Sequence, residues 1–208
     1  MLQEERSERS RTAILDAALD LFSHRGYGAT SMRDIAGKAG VSTGSVYHHF
    51  RDKESIFQAL LERFQAITQR PDFPINVVLE EGRFLDDFAV LADAAQEVLR
   101  TWRPHVALFY VDAVEFDGRH IQRFYSELAT RFERFAEANR ERLQLDARMR
   151  DGVPVSVALL FAVRIFIYYF SVELIWGVDR QFGPTTPAAV RIMSDILQHG
   201  MLRPAAPR

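Results

Sequence analysis

Residues 30–53 carry the pattern that most constrains the fold of this chain. Ser31 is a favourable helix N-cap and Asp34 follows three residues later, so the two side chains can form a capping box. The next apolar residues have the i, i+3, i+4, i+7 spacing of one helix face, and they are Met32, Ile35, Ala36 and Ala39. Gly40 then suits the left-handed residue at which many helices end. This half of the segment predicts a short amphipathic helix followed by a tight turn.

A second helix is predicted from Ser42, a favourable N-cap, to about Phe50. At about 100° per residue, Val46 and Phe50 lie on one side of this helix and His48 lies nearly opposite Val46. The outward residues are small or uncharged and rich in hydrogen-bonding groups, and they are Thr43, Gly44, Ser45, Tyr47 and His48. Such a face can enter the major groove of DNA with its N-terminal residues at the base edges. The two helices together predict a helix-turn-helix that reads DNA.

From about Ile14 to Phe57 the chain resembles the TetR family of bacterial transcriptional repressors. The matching positions occur in order and at the family's spacing: Ile14–Ala18, Leu21, Phe22, Gly26, Thr30, Ser31, Asp34–Ala36, Ala39–Ser42, Gly44, Val46, Tyr47, His49, Phe50 and Lys53. The resemblance implies an all-helical homodimer with an N-terminal DNA-binding domain and a larger C-terminal domain for ligand and dimer. Because that second domain is diverse in the family, the resemblance implies nothing specific about the ligand.

The predicted DNA contacts combine the residue pattern with this resemblance. They are Thr30, Ser31, Arg33, Ser42, Thr43, Gly44, Ser45, Tyr47, His48, His49 and Lys53. The resemblance implies phosphate contacts for Tyr47 and for Lys53, which lies in the first turn of the next helix. His49 is only ~60° from Val46 around the helix, so packing is as good an interpretation as phosphate contact.

Composition limits the other classes of function. The formal charge is −2, and residues 1–56 hold eight Lys or Arg and eight Asp or Glu, so DNA affinity must come from local placement of charge. The chain has no cysteine, which excludes disulfides and thiol catalysis. The first residues do not have the apolar core of a signal peptide. The longest apolar stretch, residues 153–176, is interrupted by Arg164 and Glu173, which argues against a membrane span and for a cytoplasmic protein.

The periodicity along the chain predicts an all-α protein of two domains. Residues 1–52 are expected to form a three-helix DNA-binding domain, and residues 53–208 a larger helical domain for ligand binding and dimerisation. The predicted helices cover approximately 11–25, 31–39, 42–50, 53–70, 85–103, 104–117, 119–147, 154–176 and 187–199, with Gly200 after the last. Residues 71–82, with Pro71 and Pro74, are expected to be a linker.

Aromatic residues between positions 102 and 176 suggest a mostly apolar ligand, elongated or aromatic, with a cationic drug as an alternative. The candidate ligand contacts are Trp102, Phe109, Tyr110, Phe124, Tyr125, Phe161, Arg164 and Tyr168. Charged residues on an apolar helix need partners, so Arg164 and Glu173 either form salt bridges or hold a polar group of the ligand. His105, Asp112, Glu115 and His120 do not have convincing metal-ligand spacing, so no metal or other cofactor is expected.

The predicted helix over 154–176 is apolar almost all round, and a second copy of the chain would cover its remaining faces. The expected dimer contacts are Ile167, Phe170, Leu174, Met193, Ile196 and Leu197. The sequence thus favours a dimeric repressor that binds a near-palindromic operator and is released by an apolar small molecule. Two alternatives remain: a DNA-binding protein without a ligand, and an enzyme with an incidental helix-turn-helix, which no catalytic motif supports.

Overall fold

The structure is a computed structural model that describes residues 2–204. Over these residues the chain is helical and forms no strand, apart from a single antiparallel bridge between Met149 and Leu202. A 3-10 turn at Arg83–Leu85 precedes the longest helix. The α-helices are α1 (Leu2–Arg25), α2 (Met32–Ala39), α3 (Thr43–His49), α4 (Lys53–Thr68), α5 (Pro74–Glu81), α6 (Ala89–Glu115), α7 (Ile121–Asn139), α8 (Leu145–Arg148), α9 (Val155–Leu174) and α10 (Thr186–Met201). The prediction of an all-α fold is confirmed.

Several helix bounds differ from the sequence-based prediction. Helix α1 begins nine residues before Arg11, because its polar first turns need no apolar partner to be helical. The expected linker contains α5, with Pro74 in its first turn and Gly82 ending it at a φ of 71°. Gly200 lies inside α10, which ends one residue later.

The two helices predicted on either side of Pro104 form one kinked helix, α6. Trp102 has non-helical backbone angles (φ −116°, ψ 24°), two residues before the proline. The long helix expected over 119–147 is broken instead. Its first part ends at Asn139, and Gln144 takes a left-handed conformation before the short α8.

The chain divides into two compact units. The first reaches Thr68 and includes Pro104–Phe124, and the second holds Gln69–Arg103 and the chain from Tyr125 onward. The core of the first unit continues past residue 52, because Ile56, Phe57 and Leu60 of α4 and Leu108 and Phe116 of α6 are buried with the N-terminal helices. The functional division at residue 52 stays a prediction.

The second unit has its own core. Its largest fully buried side chains are Phe84, Leu85, Phe88, Phe132, Phe166 and Tyr169. Helix α9 is long and apolar enough to cross a membrane by length and composition, but half of its most apolar stretch is buried. This burial is typical of a core helix.

Candidate nucleic-acid interface

Local hydrogen bonds define the start and end of α2. The Ser31 side chain accepts from the backbone N–H of Asp34 (3.1 Å), and Asp34 accepts in return from the Ser31 N–H (2.9 Å). The Ser31 hydroxyl and then the Ser31 N–H, both donating to the Asp34 carboxylate, hold the pKa of that carboxyl below its ordinary value. At the other end Gly40 has a φ of 68° and donates to the carbonyl of Gly37. The predicted capping box and left-handed turn are confirmed.

Helix α3 is fixed by one buried side and one cap. Val46 is fully buried and Phe50 is 5% exposed, so this side packs into the core of the first unit. Ser42 caps the helix by accepting from the Ser45 N–H at 3.1 Å. The opposite side is thereby turned to solvent.

The solvent-facing side of α3 has the composition expected of a DNA-reading surface. Thr43, Gly44 and His48 are exposed, and Tyr47 keeps 55% of its surface accessible. A Cβ atom at Gly44 would find its nearest described atom, Ser42 Oγ, at 3.8 Å. The glycine is therefore not required by internal packing, and its lack of a side chain leaves the outer face flat.

The residues at the start of α2 divide into two groups. Thr30 is buried, and its hydroxyl donates to the Gly26 carbonyl at 2.9 Å, so its side chain stabilises the turn before α2 and is directed away from solvent. Ser31 and Arg33 are exposed on the same edge. Phosphate contact at this edge is therefore available to Ser31 and Arg33 rather than to the Thr30 side chain.

His49 is half-buried beside His48, with the two ring centroids 5.2 Å apart. Burial, together with the neighbouring His48 and Arg11, lowers the pKa of His49 below its ordinary value. A neutral imidazole at this position fits packing and a hydrogen bond better than charge pairing with a phosphate.

Lys53 has internal partners that the sequence did not indicate. Its ammonium donates to the Tyr27 carbonyl at 2.6 Å and lies 4.0 Å from the centroid of the Tyr27 ring. Partial burial lowers the pKa of Lys53. Lys53 thus ties the first turn of α4 to the loop after α1, and its phosphate contact stays a prediction.

A network of acidic side chains and His120 stabilises the first unit behind the helix-turn-helix. Asp112 is fully buried, lies 2.6 Å from His120 Nδ1 and accepts from the Ile121 N–H. His120 Nε2 is 3.2 Å from Glu54 of α4, and Glu115 accepts from the Gly28 N–H. These contacts join α4, α6 and the loop after α1.

Of the four residues without convincing metal-ligand spacing, Asp112, Glu115 and His120 belong to this network, and His105 packs on an aromatic ring. His105 is buried against Phe64, with ring centroids 5.2 Å apart. Among the described residues no group of three His, Cys, Asp or Glu side chains could hold a metal ion.

The predicted ligand contacts are distributed over both units. Phe109, Tyr110 and Phe124 belong to the first unit, where the rings of Phe109 and Phe124 lie 4.8 Å apart and both face Phe64. The other five belong to the second unit, and they are Trp102, Tyr125, Phe161, Arg164 and Tyr168. The structure therefore does not gather the eight residues within one compact unit.

Within the second unit the ligand candidates separate further. Trp102 packs on Phe73 at 5.2 Å, and the Arg164 guanidinium lies 4.9 Å from the centroid of the Tyr125 ring. Phe161 and Tyr168 are 53% and 57% exposed. These two rings are therefore on the outer face of α9.

The two charged residues of α9 have separate partners. Arg164 is exposed and stacks on Tyr125, whereas Glu173 accepts a hydrogen bond from the Thr186 hydroxyl at 2.9 Å. Glu173 thus helps to join the end of α9 to the start of α10.

The predicted dimer contacts also differ in exposure. Phe170, Met193 and Leu197 are buried inside the second unit, and Ile167 and Leu174 are half-buried. Ile196 is 64% exposed. The large apolar residues exposed on α9 and α10 are Val157, Phe161, Tyr168, Ile192 and Ile196, of which only Ile196 was among the predicted contacts. The difference arises because an evenly apolar helix does not indicate which side the core will take.

A cleft of about 510 Å³ lies in the second unit between the end of α7, α8 and the start of α9. Arg140 bridges Glu137 and Asp146 beside it, and Arg203 pairs with Asp151. Its described lining includes none of the predicted ligand contacts. Five of the charged side chains that line this cleft are thus paired with one another.

The helix-turn-helix with an exposed polar second helix, on an all-helical scaffold, defines the class of this protein as a DNA-binding regulator. Residues 14–60 match the family model described as bacterial regulatory proteins, tetR family. Over these residues the chain therefore carries a DNA-binding domain of the TetR type, and the curated relatives that share it are named transcriptional regulators or repressors.

Curated relatives agree with this assignment over the N-terminal part. The chain is 52% identical over 54 residues to the HTH-type transcriptional repressor KstR2 of Rhodococcus jostii, a match covering 26% of each chain. It is 44% identical over 97 residues to KstR2 of Mycolicibacterium smegmatis, which covers 43% of this chain and 46% of the relative. The matches thus span from about a quarter to less than half the length of these relatives.

Solved structures extend the likeness in fold to nearly the whole chain. A TetR-family regulator from Syntrophomonas wolfei is 22% identical, covers 95% of this chain and 99% of its own, and has a TM-score of 0.65. NalD, described as the secondary repressor of the MexAB-OprM multidrug efflux pump in Pseudomonas aeruginosa, is 22% identical, with coverages of 96% and 100% and a TM-score of 0.63. At this level of identity the likeness concerns the fold alone.

Proposed function

We propose that this protein is a cytoplasmic transcriptional repressor that binds a near-palindromic DNA operator as a homodimer. The observation that carries the proposal is the outer face of α3, where Thr43, Gly44, Tyr47 and His48 stand exposed beside a buried Val46. A recognition helix needs this combination, because its inner side must hold it rigidly while its outer side meets base edges.

The experiment for DNA binding starts from duplexes selected out of a random pool by the purified protein. His48→Ala is expected to relax the sequence preference, with a cost of about 1–3 kcal/mol if the ring makes a good base contact. Arg33→Ala is expected to weaken all sequences alike and to lower the salt slope by about 1. Selection of no sequence by the unmodified protein would refute the proposal.

Dimerisation is supported by the exposed apolar residues of the second unit. Val157, Phe161 and Tyr168 fall on one stripe of α9, and Ile192 and Ile196 are exposed on α10. Apolar surface of this kind marks protein contact in soluble proteins. A second copy is the simplest partner, because two recognition helices are needed for a two-fold operator.

Two substitutions separate the dimer face from general apolar surface. Phe161→Asp or Ile196→Asp should give monomers in sedimentation and lose tight operator binding, since each half-site alone binds weakly. Val114→Asp is the matched control, because Val114 is 82% exposed but belongs to the first unit. A monomeric unmodified protein at micromolar concentration would contradict this part of the proposal.

We further propose that an apolar small molecule releases the protein from DNA. Support comes from the cluster of Phe64, Phe109 and Phe124, in which His105 is the buried polar group. Mostly apolar sites with a few polar groups are typical of small-molecule binding. Release requires that the molecule binds the two states of the repressor unequally.

The ligand is tested by a thermal-shift screen of fatty acids, acyl-coenzyme A esters, aromatic acids and lipophilic cations, followed by operator release. Stabilisation together with release supports the repressor with a ligand. Stabilisation by none of these classes, with tight operator binding retained, favours the alternative of a DNA-binding regulator without a ligand.

A further inference from the structure

The N-terminal turns of α1 form a polar surface next to the recognition helix. Gln3, Ser7 and Ser10 lie within about 60° of one another around α1, on the face that continues into the buried Ile14 and Leu21. The face is thus apolar where it joins the core and polar upstream of it. Since the upstream part offers no apolar surface to α3, the two helices leave space between them.

That space is a groove of about 730 Å³. Arg6 and Glu4 line it from α1 in addition to the polar face, and Ser45, His48 and His49 line it from α3. His48 belongs both to the groove and to the exposed reading face of α3. The groove is therefore continuous with the surface that the proposed function places against DNA.

We propose that this groove holds the sugar-phosphate backbone beside the major groove that α3 enters, and that Arg6 is its main phosphate contact. The inference rests on the proposed DNA binding. Most of the groove's groups are hydrogen-bond donors that suit phosphate oxygens: the Arg6 guanidinium, the Ser7 and Ser10 hydroxyls and the Gln3 amide. A continuous, open groove suits a chain of phosphates better than a single anion.

Glu4 opposes this contact, because its carboxylate lines the same groove and repels phosphate. The wild-type affinity is therefore expected to be a compromise between Arg6 and Glu4. Removing the Arg6 charge should therefore weaken DNA binding, and removing the Glu4 charge should strengthen it.

The test measures binding of a selected duplex by fluorescence anisotropy over a series of KCl concentrations. Arg6→Ala should weaken binding about five- to tenfold for every sequence and lower the salt slope by about 1. Glu4→Gln should tighten binding several-fold. Arg9→Ala is the matched control, because Arg9 is an exposed arginine of the same helix that does not line the groove, and it should change affinity by less than about twofold.

A second measurement locates the contact on the DNA. A neutral methylphosphonate replaces one phosphate of the duplex at a time. At one position this replacement should weaken DNA binding by the wild type but should not weaken binding by Arg6→Ala any further. Alanine is a good helix former, so helicity by circular dichroism should be retained in the variant. Inorganic phosphate alone at millimolar concentration should not raise the melting temperature, and a rise that depends on Arg6 would point to a free-anion site and overturn the proposal.

The outcomes separate this inference from the proposed function. If the unmodified protein selects no DNA, both fail. If it binds DNA and His48→Ala relaxes its preference, but Arg6→Ala binds like the wild type or Arg9→Ala loses as much as Arg6→Ala, the groove contact alone is refuted.

Discussion

His105 should make the folded protein sensitive to acid. Its ring is buried against Phe64, and within the described residues neither ring nitrogen has a hydrogen-bond partner. Burial, with a smaller contribution from Arg63, lowers the pKa of His105 to about 4. The unfolded chain takes up the proton near the ordinary pKa of 6.5, so acid favours the unfolded state.

The size of the effect follows from the two pKa values. The stability that depends on a neutral His105 is fully present above pH 6.5 and is lost as the pH falls towards 4. Between pH 7.5 and pH 5 the loss is about 2 kcal/mol, and below pH 4 it reaches about 3 kcal/mol. This is a large part of the free energy of unfolding of an ordinary domain.

His105→Leu removes the titrating ring. The free energy of unfolding should be measured by urea denaturation at pH 7.5 and pH 5 for the wild type and this variant. The wild type should lose about 2 kcal/mol more than the variant over this interval. His49, whose pKa is also lowered by burial, contributes equally to both proteins and cancels in the comparison.

Val114→Leu serves as the control, because Val114 is exposed on the same helix and has no titrating group. Its loss of stability on acidification should match that of the wild type. Equal losses in wild type and His105→Leu would refute the reasoning, since they would mean that protonation of His105 costs nothing in the folded state.

Three further substitutions test single contacts. Gly82→Ala should lower the free energy of unfolding by about 1–3 kcal/mol, because the glycine has a φ of 71° and an added Cβ would lie 2.6 Å from Leu143 Cδ2. An unchanged midpoint of urea denaturation would contradict this. Lys53→Met should lower the free energy of unfolding by about 1–2 kcal/mol, because it loses the hydrogen bond and the ring contact with Tyr27. Unchanged stability would contradict this, and a salt slope of DNA binding reduced by about 1 would support the predicted phosphate contact of Lys53. Gly44→Ala should raise the thermal stability by up to about 1 kcal/mol while weakening operator binding in an anisotropy titration, and tighter binding would argue against close approach of α3 to DNA.

Two groups of relevant residues were not found from the sequence. Gln3, Arg6, Ser7 and Ser10 were missed because the predicted first helix began at Arg11, although their spacing continues the stripe of Ile14. His105 was treated as an ordinary residue, although it is spaced i, i+4 with Phe109 and so shares the aromatic face of α6. In both cases the helical periodicity of the sequence indicates the correct helix face.

The helix-turn-helix was determined by the sequence itself, because its signals are local. A capping serine, a left-handed glycine and an apolar stripe act within one or two turns of chain, so α2 and α3 have the predicted starts and the predicted inner and outer sides. The all-helical fold followed from the same periodicity.

Tertiary packing decided which polar side chains have a hydrogen-bond partner within the chain and which sides of the helices are buried. The Thr30 hydroxyl donates to the Gly26 carbonyl, and the Lys53 ammonium donates to the Tyr27 carbonyl, 26 residues away in sequence. Phe170 and Leu197 are buried, whereas Phe161 and Ile196 are exposed. A sequence pattern gives the chemistry of a side chain and its angle around a helix. The partner it meets depends on how distant segments pack together, and no local signal records that arrangement.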